Sequence, residues 1–149
     1  MTDIEFHVNM PDKLHYCCRL LRKVQRSGAH AVVTAEPELL AKLDELLWTF
    51  SSHDFLPHYY SGGSVTASAP TLASTPIHLV EQLQGGPPGA LLINLGRQPP
   101  TYFERFQRFI EVASGTDTDI LAARARWKYY KDRGYGLRKH ELASGPAAS

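Results

Sequence analysis

Apolar and polar residues follow one another along the chain in blocks that predict strands separated by helices. Residues 4–8 alternate between the two classes and predict a first strand. Pro11 and Asp12 then open a predicted helix that ends at Gly28. Its apolar residues recur with helical spacing at Leu14, Cys17, Cys18, Leu21 and Val24. The short apolar run 29–33 follows, and it is typical of a strand buried on both faces.

A second helix is predicted to begin at Glu36 and Pro37. One side of it carries Leu39, Leu40, Leu43, Leu46, Leu47 and Phe50. Trp48 falls on the opposite side, so we expect it to be exposed. Residues 51–63 form a predicted loop rich in aromatic residues, with a brief strand near Phe55 and Leu56. Residues 65–74 are small and polar, and they predict a mobile connection.

The second half of the chain continues the same alternation of elements. Residues 76–80 and 90–95 are predicted strands, separated by a break rich in Gly and Pro. Pro99 and Pro100 precede a predicted third helix, whose inward residues would be Phe103, Phe106 and Ile110. The order of elements predicts one three-layer α/β/α domain over residues 1–142 around a largely parallel sheet, with a disordered tail over residues 143–149.

The last predicted helix runs from Asp117 to Asp132, a stretch without Gly or Pro, and Gly134 ends it. Its predicted apolar stripe is Ile120, Ala123, Trp127 and Tyr130, and the cations Arg124, Lys128 and Lys131 line one edge of that stripe. Such a boundary could hold a ligand with an apolar end and a carboxylate end. The alternative is an amphipathic helix that packs on the core and leaves a solvated basic edge.

Composition indicates a globular protein of the soluble, intracellular class. The formal net charge is +1, which argues against a broad electrostatic contact with a nucleic-acid backbone. Cys17 and Cys18 are neighbours on a predicted helix, so a disulfide between them is not expected, and two such cysteines fit a reducing cytosol. No apolar run is long enough to span a bilayer. We therefore expect a cytoplasmic protein.

Sequence patterns for catalysis, cofactors or metals are absent. No phosphate-binding GxxxxGK[ST] or GxGxxG follows a strand, and no GxSxG, HExxH or zinc-type Cys/His spacing occurs. His58, after Pro57, is interpreted as a loop histidine bonded to the backbone. Asp117 and Asp119 fit the start of a helix, where the helix dipole favours acidic groups. We expect no catalytic residue, no cofactor and no metal ligand.

A second candidate surface combines Trp48 with Phe55, Leu56 and Pro57. These large apolar groups stand where the helical pattern predicts exposure, and exposed aromatic clusters often mark a binding partner. Coverage of Trp48 by the following loop is the alternative at this point.

Four stretches of the chain carry a specific resemblance. They are LDELLW at 43–48, DFLPH at 54–58, LINLG at 92–96, and ARARWKYY at 123–130 running into RGY at 133–135. In this order they resemble the chi subunit family of the bacterial DNA polymerase III holoenzyme. With the first strand and helix, the resemblance extends from about residue 3 to residue 137, although residues 61–75 carry little of it. None of the stretches is an active-site signature, but their order and joint presence are specific.

The resemblance implies a nucleotide-binding-like fold without a nucleotide site, and two protein partners. Family members bind the acidic C-terminal tail of single-stranded-DNA-binding protein and pair with the psi subunit, which links them to the clamp loader. The tail site would carry over to Arg124, Trp127 and Lys128, with Ala113 as a wall and Lys131 on the same basic edge. Trp127 stands where some relatives have Tyr. The psi interface would carry over to Trp48 and Phe55, with Leu56 and Pro57 beside them.

These observations predict a non-catalytic replisome adaptor that contacts DNA only indirectly and has no role at a membrane. Two alternatives stay open. One is an interaction module for another partner, such as a helicase that uses the Trp48 surface. The other is a small nucleotide or phosphate-ester hydrolase, because folds of this class host many reactions.

Overall fold

Seven parallel strands form one open sheet in the computed structural model, which describes residues 2–49, 58–60, 77–81 and 89–141. In chain order the strands are β1 (Asp3–Met10), β2 (Ala31–Thr34), β3 (His58–Tyr60), β4 (Ile77–Val80), β5 (Leu91–Asn94), β6 (Arg108–Ser114) and β7 (Leu137–Glu141). Their order across the sheet is β3-β4-β2-β5-β6-β1-β7, and every neighbouring pair is parallel.

Among the described residues, three α-helices cover the two faces of this sheet. They are α1 (Lys13–Arg26), α2 (Pro37–Thr49) and α3 (Asp117–Asp132). The side chains of α1 and α2 pack on one face of the sheet, whereas those of α3 pack on the other face. The predicted three-layer α/β/α class around a parallel sheet is therefore confirmed. Within the described ranges, no helix has the length and apolar character needed to cross a membrane.

Helices α1 and α3 have the ends that their sequences predict. The side chain of Asp12 accepts a hydrogen bond from the His15 amide (3.1 Å), and Thr116 accepts one from the Asp119 amide (3.3 Å). Gly28 and Gly134, just beyond the two helices, have φ values of 78° and 85°. A Cβ disfavours that left-handed conformation, so glycine is the suitable residue to stop each helix.

The predicted third helix is wrong. Phe103–Arg105 forms one 3₁₀ turn, and the residues that follow form the central strand β6 between β5 and β1. Residues 109–113, which are apolar except for Glu111, are buried, as expected for a strand covered on both faces. Phe103, Phe106 and Ile110 do face inward as predicted, but they do so from a turn and a strand.

His58 and strand β7 also differ from the predictions. His58 begins strand β3 and pairs with Ile77 of β4, so its assignment to a loop is wrong. Strand β7 was not predicted, because its sequence is polar and its residues are mostly exposed at the sheet edge. Phe50, the brief strand near Phe55 and Leu56, the connection 65–74 and the tail 143–149 lie outside the described residues.

Candidate peptide-binding site

Helix α3 turns a different side toward the sheet from the one its apolar pattern predicts. Its buried residues are Asp119, Ala123, Arg126 and Tyr130. Ile120 and Trp127 of the predicted stripe are only half-buried. Relative to the predicted stripe, the buried face of the helix is therefore shifted by about one residue. The shift arises because Arg126 is buried where the periodicity predicts an exposed residue. As a consequence, Trp127 lies at the margin of the core, where a ligand can reach it.

A buried polar network fixes this rotation. The Arg126 guanidinium donates from Nε to Oε1 of Glu111 (2.9 Å), and its Nη1 donates to the carbonyl oxygen of Arg97 (3.2 Å). The Tyr130 hydroxyl donates to Oε2 of Glu111, and the Asn94 amide donates to Oε1 (2.9 Å). Burial raises the pKa of Glu111, and these donors partly offset the rise. Because Glu111 interrupts an apolar strand, it was the one sequence signal that could have revealed the network.

Asp119 connects the start of α3 to the sheet and to helix α1 of the opposite layer. Its carboxylate accepts a hydrogen bond from the Ser114 amide (2.8 Å) at the end of β6 and pairs with the Lys13 ammonium of α1 (3.1 Å). Burial would raise the pKa of Asp119, but the Ser114 and Lys13 contacts outweigh it and lower that pKa. Lys13 also donates to the carbonyl oxygen of Leu95 (2.8 Å). Both ends of this helix are thus held by polar contacts.

A cavity of about 410 Å³ opens between α3 and the β6, β1 and β7 strands; we call it the tail cavity. It is lined by Phe6, Val8, Asn9, Ala113, Ser114, Ile120, Ala123, Arg124, Trp127, Lys139 and Glu141. The structure thus brings together Ala113, Arg124 and Trp127 from the predicted site. Lys128 and Lys131 do not line it.

Trp127 forms an apolar wall of the tail cavity, and packing on a neighbouring ring holds it in place. Its ring packs edge-on against Phe6 of β1, with 5.1 Å between the ring centroids and 64° between the planes. Ala113, on β6, contributes a small buried side chain that leaves space beside this wall. Open space therefore lies beside an apolar wall in this cavity.

The charges of the tail cavity come from two elements rather than from α3 alone. Arg124 and Lys139 both line it, and neither has an ion-pair partner among the residues that the structure describes. Glu141 contributes one negative group on the same strand as Lys139. Lys128 instead pairs with Asp132 at 3.1 Å in an exposed contact one helical turn away. Lys139 was not predicted as a site residue because strand β7, which carries it, was not predicted.

The second candidate surface lies on α2. Trp48 is 56 % exposed, in agreement with its predicted place opposite the apolar side, whose Leu40, Leu43 and Leu47 are buried. Phe55, Leu56 and Pro57 lie outside the described residues, so the proposed cluster is represented by Trp48 alone.

A crevice of about 620 Å³ lies beyond the carboxyl ends of β2 and β5, where parallel α/β sheets commonly bind ligands. Glu36 and Glu81 line it, and none of the described lining residues is basic. Glu36 Oε2 accepts a hydrogen bond from the Arg97 amide (3.2 Å). A Cβ at Gly96 would lie 2.4 Å from the same oxygen, so a larger residue there would require the Glu36 side chain to move. The crevice therefore presents two carboxylates and no described basic lining residue, a combination that is unfavourable for a phosphate.

Together these features define a parallel α/β/α domain with an acidic crevice at its usual ligand position and an apolar cavity with cationic groups beside its last helix. The sequence profile of one family, described as "DNA polymerase III chi subunit, HolC", matches residues 1–138. The chain belongs to the DNA polymerase III chi subunit family, whose members are accessory subunits in DNA replication.

Individual relatives agree with this assignment. The DNA polymerase III subunit chi of Pseudomonas aeruginosa is 31 % identical over 150 residues, covering 95 % of this chain and 98 % of that protein. The Haemophilus influenzae subunit chi is 30 % identical over 80 % of this chain and 81 % of its own length. The Escherichia coli subunit chi is 26 % identical, with 80 % of this chain and 79 % of that protein covered. The predicted family is confirmed.

Proposed function

We propose that this protein is a non-catalytic replisome adaptor that binds the acidic C-terminal tail of single-stranded-DNA-binding protein in the tail cavity. In the same proposal, the Trp48 surface binds a psi-like subunit and so links the tail to the clamp loader. The adaptor would act in the cytoplasm, at the replisome, and would contact DNA only through its partners.

The observation that carries the proposal is the juxtaposition of Trp127 and Ala113 with two cations, Arg124 and Lys139, in one cavity. A peptide that ends in an aromatic residue would place its ring against Trp127. Its terminal α-carboxylate would then lie near the Arg124 guanidinium, which can donate two parallel hydrogen bonds to it. The acidic residues that precede the terminus would extend toward Lys139 and the basic edge of α3.

Two features of the structure favour binding over catalysis. The crevice at the carboxyl ends of the strands presents Glu36 and Glu81, an unfavourable setting for a nucleotide or phosphate ester. The tail cavity offers fixed walls, because Trp127 is packed on Phe6 and α3 is fixed by the buried Arg126. A site that is already formed loses little conformational entropy on binding.

Fluorescence anisotropy with a synthetic acidic peptide ending in Pro-Phe tests the proposal directly. The free-acid peptide is expected to bind, whereas the same peptide with a C-terminal amide should bind roughly tenfold or more weakly, because a charge-assisted contact is lost. Arg124→Ala should abolish most of this difference between the two peptides. Equal affinity for acid and amide would contradict carboxylate recognition at Arg124. Heat release on titration with ATP would revive the hydrolase alternative.

A further inference from the structure

Two histidines and a glutamate from opposite ends of the chain meet on the face of the sheet that α1 covers. Strands β1 and β7 pair in parallel, with Glu5 opposite Arg138 and His7 opposite His140. The Nε2 atom of His140 lies 3.0 Å from Oε1 of Glu5, and the Nε2 atom of His7 lies 3.4 Å from the same oxygen. One donor atom from each of the three residues lies within 4.8 Å of the other two.

These separations are those of ordinary hydrogen bonds, and they are also close to the spacing of two ligand atoms on one metal ion. Zinc bonds to nitrogen and oxygen are about 2.0–2.1 Å long, so two ligand atoms of a tetrahedral site lie about 3.3 Å apart. Both contacts to Glu5 are near that value. The His140 side chain is 61 % exposed, and it can rotate to close the remaining separation.

The surroundings of His7 orient its ring as a ligand. The Tyr16 hydroxyl of α1 is hydrogen-bonded to Nδ1 of His7. If Nδ1 carries the proton and donates it to Tyr16, Nε2 presents its lone pair toward Glu5 and His140. A second hydrogen bond of this kind is what fixes the ring of most metal-binding histidines. The Arg138 guanidinium approaches Oε2 of Glu5 at 3.8 Å, which leaves Oε1 for the metal.

We propose that Glu5, His7 and His140 form a binding site for a divalent transition-metal ion of the zinc class, with water completing the coordination. Two imidazoles and one carboxylate are a ligand set that such ions accept. No spacing motif could show it, because His140 is far from the others in sequence and reaches them only through the pairing of β7 with β1. The bound ion would join the exposed edge strand β7 to β1.

Calorimetric titration of the untagged full chain with ZnCl₂ tests this proposal. One ion per chain is expected to bind, and the amide protons of β7 should then exchange more slowly with solvent. His140→Ala removes an exposed ligand, and Glu5→Gln removes the carboxylate charge. Each should weaken zinc binding by about tenfold or more, since even the loss of a supporting hydrogen bond commonly costs that much. Tyr16→Phe should weaken zinc binding, because His7 loses its hydrogen bond to the hydroxyl, while the stoichiometry should stay at one ion per chain.

His15→Ala is the matched control, because His15 is an exposed histidine on α1 outside the cluster. It should leave the affinity unchanged. Absorption spectra of the Co²⁺-loaded protein should lack a thiolate charge-transfer band, because Cys17 and Cys18 are buried in the core. The proposal is overturned if the parent chain does not bind zinc. It is equally overturned if folded His140→Ala binds as tightly as the parent, or if His15→Ala loses as much affinity as His140→Ala.

Discussion

Arg126 of α3 and Glu111 of β6 form an ion pair inside the protein, with 2.9 Å between Nε and Oε1 and almost no exposure of either side chain. The pair crosses from the helix to the sheet, and the Tyr130 hydroxyl and the Asn94 amide complete the hydrogen bonding of the carboxylate. Removal of one partner would leave an uncompensated charge in the core. This pair sets the rotation of α3, and hence the position of Trp127 in the tail cavity.

We therefore predict that Arg126→Met lowers the free energy of unfolding by about 3 to 5 kcal/mol. The double variant Arg126→Met with Glu111→Gln should recover part of that loss, because no buried carboxylate is then left alone. Urea denaturation measures the free energy of unfolding of the parent, of Arg126→Met and of the double variant. Arg124→Met is the control on the same helix, and it should change the stability by only about 0.5 kcal/mol because residue 124 is exposed. A loss for Arg126→Met no larger than that of the control would contradict the structural role of the pair.

The ion pair also separates what the sequence of α3 predicts from what it cannot predict. Periodicity gave the bounds of α3, because the stretch lacks Gly and Pro and is followed by Gly134. It could not predict that Arg126 faces inward, since that depends on a carboxylate from a different element. Phe103, Phe106 and Ile110 have a spacing that also fits a helix, and only the burial of β6 on both faces distinguishes the two structures. Lys139 was missed because an exposed edge strand carries no apolar alternation.

Asp119 should make stability depend on acid pH. Its pKa is lowered from the ordinary value of 3.8 in the folded protein, so its stabilising contribution is present at neutral pH. The contribution is lost as the pH falls below 3.8 and through the lowered pKa, because the protonated group no longer pairs with Lys13. Asp119→Asn should be less stable than the parent at neutral pH, by about 1 to 3 kcal/mol, and the difference should shrink in acid.

Thermal melts of the two chains at several pH values between neutrality and pH 3 measure this convergence. Asp117→Asn is the control, because Asp117 lies two residues earlier in the same first turn and is exposed. Asp117→Asn should show nearly the same change of melting temperature with pH as the parent. A constant difference between Asp119→Asn and the parent across the pH range would argue against a stabilising ionised Asp119.

In the tail cavity, Lys139 should contribute more to peptide affinity than Lys131 does. Lys139 lines the cavity and Lys131 does not, although the sequence of α3 alone favours Lys131. Lys139→Ala should weaken binding of the acidic peptide about twofold to fivefold, as expected for a partly exposed charge contact. Lys131→Ala should have a smaller effect. The parent affinity should fall as NaCl is raised to several times physiological ionic strength, because exposed charges are screened. Anisotropy titrations that rank Lys131 above Lys139, or that show no dependence on salt, would place the peptide elsewhere.

The Trp48 surface and the tail cavity should bind their partners independently. Helix α2 packs against β3 and β4 at one end of the sheet, whereas α3 packs against β6 and β7 at the other end and on the opposite face. Trp48→Ala should therefore leave peptide affinity within about twofold of the parent value, since distant sites without shared contacts are nearly additive. The same substitution should disrupt co-purification with a psi-like subunit, because an exposed aromatic at an interface commonly contributes about 2 kcal/mol or more to binding.

Trp127→Ala is the reciprocal variant, and it should lose the peptide and keep the psi-like subunit. Its thermal melt must accompany the binding data, because Trp127 packs on Phe6 and its loss also removes contacts of the core. If a folded Trp48→Ala chain kept the psi-like subunit but lost a helicase from the same pull-down, the alternative partner would be favoured. If Trp48→Ala lost the peptide and kept its protein partner, the two surfaces would have exchanged roles. Loss of both ligands by one folded variant would contradict the existence of two separable sites, because α2 and α3 lie on opposite faces and at opposite ends of the sheet.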